Sequence, residues 1–97
     1  ISGIDNFSAS QIGAFAPPYP NPASALTCIP VHLKQDANVK VTLIDALGRT
    51  IEVIHDGMLY SGETKLFFQA STIPAGAYVI SLENNEARLA TSRIMIQ

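Results

Sequence analysis

The residues able to do chemistry are few and scattered. His32 and His55 are the two imidazoles, and Cys28 is the one thiol. Neither histidine has a carboxylate or a cysteine at metal-ligand spacing, so both read as strand-surface residues rather than ligands. Asp36, Asp45 and Asp56 stand at turn signals, where an aspartate bonds the backbone two residues on. Two of them would have to meet in space to act as acid and base, and nothing in their spacing brings them together. The serines follow no nucleophile-elbow pattern and no glycine-rich loop cradles a phosphate. Cys28 lies in the apolar run Leu26–Val31 and reads as a small buried hydrophobe. Tyr19, Tyr60, Phe67 and Phe68 can make a surface for stacking on a sugar or a peptide, but core or turn cover explains most of them. No catalytic residue, metal or cofactor is expected.

Any such residue must be positioned by short strands. The 97 residues suffice for one modest core and not two. Asn38–Asp45 alternates, with Val39, Val41 and Leu43 on one face and Lys40, Thr42 and Ile44 on the other. Leu26–Leu33, Glu63–Gln69, Ala77–Glu83 and Arg88–Gln97 are further strands, and Gln11–Ala16 is a candidate first one. Pro30 inside Leu26–Leu33 predicts an edge strand or a bulge there. In Glu63–Gln69, Leu66 and Phe68 share one side and Phe67 takes the other.

Turn chemistry separates the strands. "DALGR" gives a type I turn at Asp45 closed by Gly48, and Arg49–His55 is the return strand. "DG" at Asp56 and "SG" at Ser61 predict two more turns. Pro74 and Gly76 redirect the chain, and Asn84-Asn85 predicts a tight hairpin using the left-handed tolerance of asparagine. Ile94 and Ile96 face inward on the last strand, leaving Arg93 and Met95 outward. The strands number six or seven, and the fold class is therefore all-β, two packed antiparallel sheets. Immunoglobulin-like sandwiches carry a tyrosine at one corner. Tyr78, just after the Pro74–Gly76 corner, fits the tyrosine of such corners.

Composition limits partners. Charged residues are 14% of the chain, against ~25% in typical soluble domains. So lightly charged a surface favours a domain attached to something larger or meeting a partner. The net charge of −2 provides no basic patch for nucleic acid. No apolar run reaches the ~18 residues of a membrane-spanning helix. The chain begins with Ile1 and has no export signal of the N-terminal kind, so it is expected to be the C-terminal piece of a longer protein. Residues 1–13 read as a linker from the upstream protein and 14–97 as the domain.

"PYPNP" (Pro18–Pro22) stands between the two. Its prolines fix φ and hold Tyr19 and Asn21 extended, so neither a helix nor a central strand passes through. Four blocks in order then carry a resemblance. They are "YPNP" (Tyr19, Pro20, Asn21, Pro22) with "ASALTCIPVHL", "VKVTLIDALGRTI" with Gly48 and Arg49, "IPAGAYVISL" with Gly76 and Tyr78, and "SRIMIQ" with Arg93, Ile94, Met95, Ile96 and Gln97. From about residue 14 to 97 the chain resembles the C-terminal sorting domains of the type IX secretion system. Ala25 stands where the family usually has a polar residue, and Arg93 where it favours lysine.

The resemblance implies an immunoglobulin-like antiparallel β-sandwich of about seven strands, acting as a non-catalytic signal for export through the periplasm to the cell surface or medium. Its implied partners are the type IX translocon and sortase components at the outer membrane and the upstream cargo domain. A surface sortase commonly removes such domains and joins the cargo to an anionic lipopolysaccharide. Two other readings of the same residues are a structural immunoglobulin-like accessory module of a surface protein and a small carbohydrate-binding module. The absence of tryptophan and the three tyrosines weigh against the last.

Overall fold

The computed structural model describes residues 13–85 and 87–97. The expected linker, apart from Gly13, lies outside the described residues. Seven strands are present: β1 (Gly13–Phe15), β2 (Leu26–Leu33), β3 (Ala37–Ile44), β4 (Thr50–Leu59), β5 (Gly62–Gln69), β6 (Gly76–Glu83) and β7 (Arg88–Ile96). The described helical structure is a single 3-10 turn, Ala70–Thr72. The strands form a three-stranded sheet, β1-β2-β5, and a four-stranded sheet, β4-β3-β6-β7, with every ladder antiparallel. This is an immunoglobulin-like sandwich.

Its core follows the alternation of the strands. Ile29, Val31 and Leu33 of β2 face Val41 and Leu43 of β3, Ile80 and Leu82 of β6, and Ile94 and Ile96 of β7, all essentially without solvent contact. Each such side chain gives about 1.5–3 kcal/mol on burial. Phe68 is buried while Phe67, its neighbour on β5, is exposed. Gly13, expected in the linker, is the buried first residue of β1.

Three local expectations are corrected. β2 is the central strand of its sheet, not an edge, although Pro30 lies within it. The Pro30 carbonyl accepts from Ala16 N–H at 3.1 Å, so the proline nitrogen faces the same side. β1 has ended there and Pro17 and Pro18 follow, so no ladder bond is asked of a residue that lacks a donor. The "DG" at Asp56–Gly57 is not a turn. β4 runs through it because Asp56, Gly57, Met58 and Leu59 go on pairing with Lys40, Val39, Asn38 and Ala37 of β3. A hairpin turn needs its flanks to pair with each other, and here both flanks pair with one strand. Asn84 and Asn85 do not enter the left-handed region, since positive φ among the described residues is confined to glycine. The Asn84 side chain does the turning instead, its Oδ1 accepting from Ala87 N–H at 2.8 Å.

Candidate recognition surface

The site is built from four segments that end at one end of the four-stranded sheet. The first is the corner leading into β6. The Tyr78 hydroxyl donates to the Pro74 carbonyl at 2.6 Å, four residues back, and its ring is buried. Gly76 opens β6 with φ +155°, and a Cβ there would lie 3.7 Å from the Tyr78 ring.

The second is the turn after β3. Asp45 Oδ1 accepts from the N–H groups of Leu47 and Arg49, both at 2.9 Å, and Oδ2 from Arg49 Nε at 2.9 Å. The Arg49 backbone N–H is the main reason the Asp45 carboxyl sits below the usual carboxylate range, aided by the Arg49 side chain and Leu47 N–H and opposed by partial burial. Gly48, at φ +85°, closes the turn by donating its N–H to the Asp45 carbonyl at 3.0 Å.

The third and fourth segments are the two ends of the domain, and they are joined. Tyr19 and Cys28 of β2 exchange backbone bonds of 3.0 and 2.8 Å, which keeps Tyr19 in the three-stranded sheet. Four residues later, Ala23 is in the other sheet. Its N–H donates to Met95 O at 2.7 Å and its carbonyl accepts from Gln97 N–H at 2.8 Å, a parallel bridge to Ile96. Between them, Asn21 Oδ1 accepts from Met95 N–H at 3.0 Å. The segment Tyr19–Ala23 thus crosses from one sheet to the other and clasps the last residues of β7. Pro20 and Pro22 bring no N–H to this crossing, and the Tyr19–Pro20 and Asn21–Pro22 peptide bonds are cis.

The clasp changes what β7 offers. A terminal edge strand is expected to present unpaired backbone groups, and β7 is an edge strand. At Met95 and Gln97, however, those groups are taken by Asn21 and Ala23. The end of the chain is presented through side chains on the outer face of the sheet.

That face carries an open groove of about 410 Å³ reached by all four segments. Asn21 comes from the clasp, Asp45 and Ala46 from the turn, Ala77, Tyr78 and Val79 from β6, and Arg93, Ile94 and Met95 from β7. Antiparallel pairing of Ala77 with Met95, Tyr78 with Ile94 and Val79 with Arg93 puts the last two sets side by side. Ile94 and Ile96 are 1% and 2% exposed, whereas Met95 is 50% exposed. Among the residues singled out from sequence, the groove gathers Asn21, Tyr78, Arg93, Ile94 and Met95. Arg49 and Gly48 act one step away by fixing Asp45, and Gly76, Ile96 and Gln97 by shaping the corner and the clasp. Tyr19, Pro20 and Pro22 do not line it. Tyr19 stands over Cys28, whose thiol, with partial burial, raises the phenol above its ordinary value while Lys65 works the other way. Ala46, Ala77 and Val79 went unnoticed because small apolar residues carry no signal of their own. Asp45 was legible only as a turn former.

Elsewhere, His55 Nε2 lies 3.1 Å from Gly57 O within its own strand. Among the described residues no three His, Cys, Asp or Glu side chains are grouped to hold a metal ion. No described helix is long and apolar enough to cross a membrane.

The fold is a small immunoglobulin-like sandwich with a composite groove at one end of its four-stranded sheet. The family model described as a secretion system C-terminal sorting domain matches residues 18–97, and the chain belongs to that family. These are the sorting domains of type IX secretion, and membership implies export across the outer membrane to the cell surface or medium. No curated protein and no solved structure matches the chain. The match begins at Pro18, one residue before the clasp, and runs to Gln97, where the clasp closes.

Proposed function

We propose that the groove end of the sandwich is the part of this sorting domain that the type IX translocon reads, and that the domain acts as a passive signal for an upstream cargo protein. The observation carrying this is convergence. Four sequence blocks spread over nearly eighty residues meet in one groove, although only Tyr78 and Ile94 among their groove residues serve the core. Cargo would reach the periplasm by a signal upstream of Ile1 and then be carried out by this domain. A surface sortase would cut N-terminal to Gly13, since β1 is paired to β2 from Gly13 onward and a protease needs an unpaired, extended substrate.

The test fuses the chain to a fluorescent protein with its own periplasmic export signal, in a host with a type IX system. The intact fusion should reach the medium or surface. The double variant Arg93→Gln, Met95→Ala should hold it in the periplasm at unchanged thermal stability, because both side chains point outward. A five-residue C-terminal trim is a poorer test, since it also removes Ile94, Ile96 and the clasp. Retention of the intact fusion in the periplasm overturns the reading. Mass spectrometry of the released domain locates the cut.

A further inference from the structure

The polar groups of the groove are unequally satisfied. Its one carboxylate, Asp45, is filled: Oδ1 takes two backbone N–H groups and Oδ2 takes Arg49 Nε. Its donors are not filled. The Arg93 guanidinium has no hydrogen bond or ion pair among the described residues, where the ion pairs are Arg49 with Asp45 and Arg88 with Glu83. Asn21 spends its Oδ1 on Met95 N–H, which turns its amide NH₂ away from that bond and leaves two further donors without a partner among the described residues. Around these donors the outward side chains are aliphatic, those of Ala77, Val79 and Met95.

A groove with free donors, a filled acceptor and an apolar floor selects an anion attached to aliphatic carbon. One free guanidinium on a chain of net charge −2 suits a singly charged carboxylate better than a phosphate dianion. The groove is open along β7, so the ligand need not be small. Building on the reading of this face as the recognised one, we infer that it docks an extended segment of a partner protein. In that segment an Asp or Glu is flanked by aliphatic residues, and its carboxylate is taken by Arg93 and the Asn21 amide. Backbone pairing with the tip of β7 is not available to the partner, because the clasp occupies Met95 and Gln97. Specificity therefore lies in the side chains.

The experiment needs no secretion machinery. The whole ¹⁵N-labelled chain is titrated with acetyl-Leu-Glu-Val-amide and, separately, with acetyl-Leu-Gln-Val-amide, following the amides of Ala77–Val79 and Arg93–Met95. The glutamate peptide should bind about two- to five-fold tighter, the range expected for one half-exposed ion pair. The preference should vanish in Arg93→Gln and turn toward a lysine peptide in Arg93→Glu, both of which should fold because the side chain is outside the core. Equal affinity for the two peptides, no shift with either, or shifts confined to the three-stranded sheet would overturn the inference. So would inorganic phosphate moving the same amides as strongly as the glutamate peptide. Secretion of the intact fusion alongside any of these results would retain the sorting role and remove only the carboxylate partner.

Discussion

The corner and the clasp sit on adjacent strands, at the same end of the same sheet, and each ties a strand end with a side-chain bond to backbone. In the corner, Tyr78 at the start of β6 reaches Pro74, four residues away. In the clasp, Asn21 reaches Met95 near the end of β7, 74 residues away. Tyr78 and Ile94 are direct cross-strand partners, as are Ala77 and Met95, so the two devices flank one groove. They differ in what stands behind them. The tyrosine ring is part of the core, whereas Asn21 is exposed, and the rest of the clasp is held by the two backbone bonds of Ala23 and its small buried methyl. The corner therefore belongs to the stability of the whole sandwich. The clasp, tied through one exposed side chain and one short segment, is expected to open locally while the sandwich stays folded.

The largest effect should come from removing what the two devices share. Ile94→Ala empties core volume beneath both and should cost about 2–5 kcal/mol in urea unfolding. A loss below about 1 kcal/mol would mean that the end of β7 is not part of the core. Tyr78→Phe comes next. It strands the Pro74 carbonyl and should cost about 1–2 kcal/mol. Hydrogen exchange should show that loss at the slowest core amides of every sheet, since the corner opens only with global unfolding. An unchanged stability would show that the 2.6 Å bond contributes nothing net.

Asn21→Ala should behave differently. Its cost should be about 1 kcal/mol at most and confined to the clasp, with faster exchange at Met95 and Gln97 and nearly unchanged exchange in β2 and β3. Asn21→Asp keeps an acceptor for Met95 N–H and should restore slow exchange there. If Asn21→Ala instead lowered protection evenly across the sandwich, the clasp would be a second corner and the contrast between the two would fall.

The same contrast sets what could be read from sequence. Local devices were legible. Alternation in Asn38–Asp45, the glycine after Asp45 and the tyrosine after Pro74–Gly76 each act within a few residues, where spacing is geometry. The inward set Ile94 and Ile96 was legible for the same reason. Non-local pairing was not. Nothing in "HDGML" says that both sides of Asp56–Gly57 will find β3, and nothing around Pro30 says that its neighbour strand stops where the proline needs it to. The clasp was the deepest case. "PYPNP" read as a stiff boundary, and the sequence holds no sign that Asn21 would reach the chain end or that Ala23 would be buried by it. The groove followed from that closure, so its residues could be named singly but not assembled.

The smallest effect expected at this end of the sheet lies in the Asp45 turn, and it tests whether a local device is independent of its charged neighbour. The carboxyl is held below the usual range first by the Arg49 backbone N–H and only then by the Arg49 side chain. A carboxyl with a folded pKa below its unfolded value of about 3.9 stabilises the fold above that pH. The contribution is lost as pH falls through the depressed folded value. Asp45→Asn should therefore lower stability by a nearly constant amount between pH 5 and 8 and flatten the acid limb below about pH 4, where the variant and the parent converge. Arg49→Ala removes the Nε bond but leaves both backbone donors in place, so the Asp45 carboxyl, followed by its ¹³C shift, should rise only part of the way and stay depressed. The exposed Arg49 side chain adds little because solvent screens it. A full return to the ordinary carboxylate value in Arg49→Ala would show the ion pair, and not the backbone turn, to be holding Asp45. The filled acceptor of the groove would then depend on a mobile surface side chain, and Asp45 would be free to repel the carboxylate that Arg93 is expected to bind.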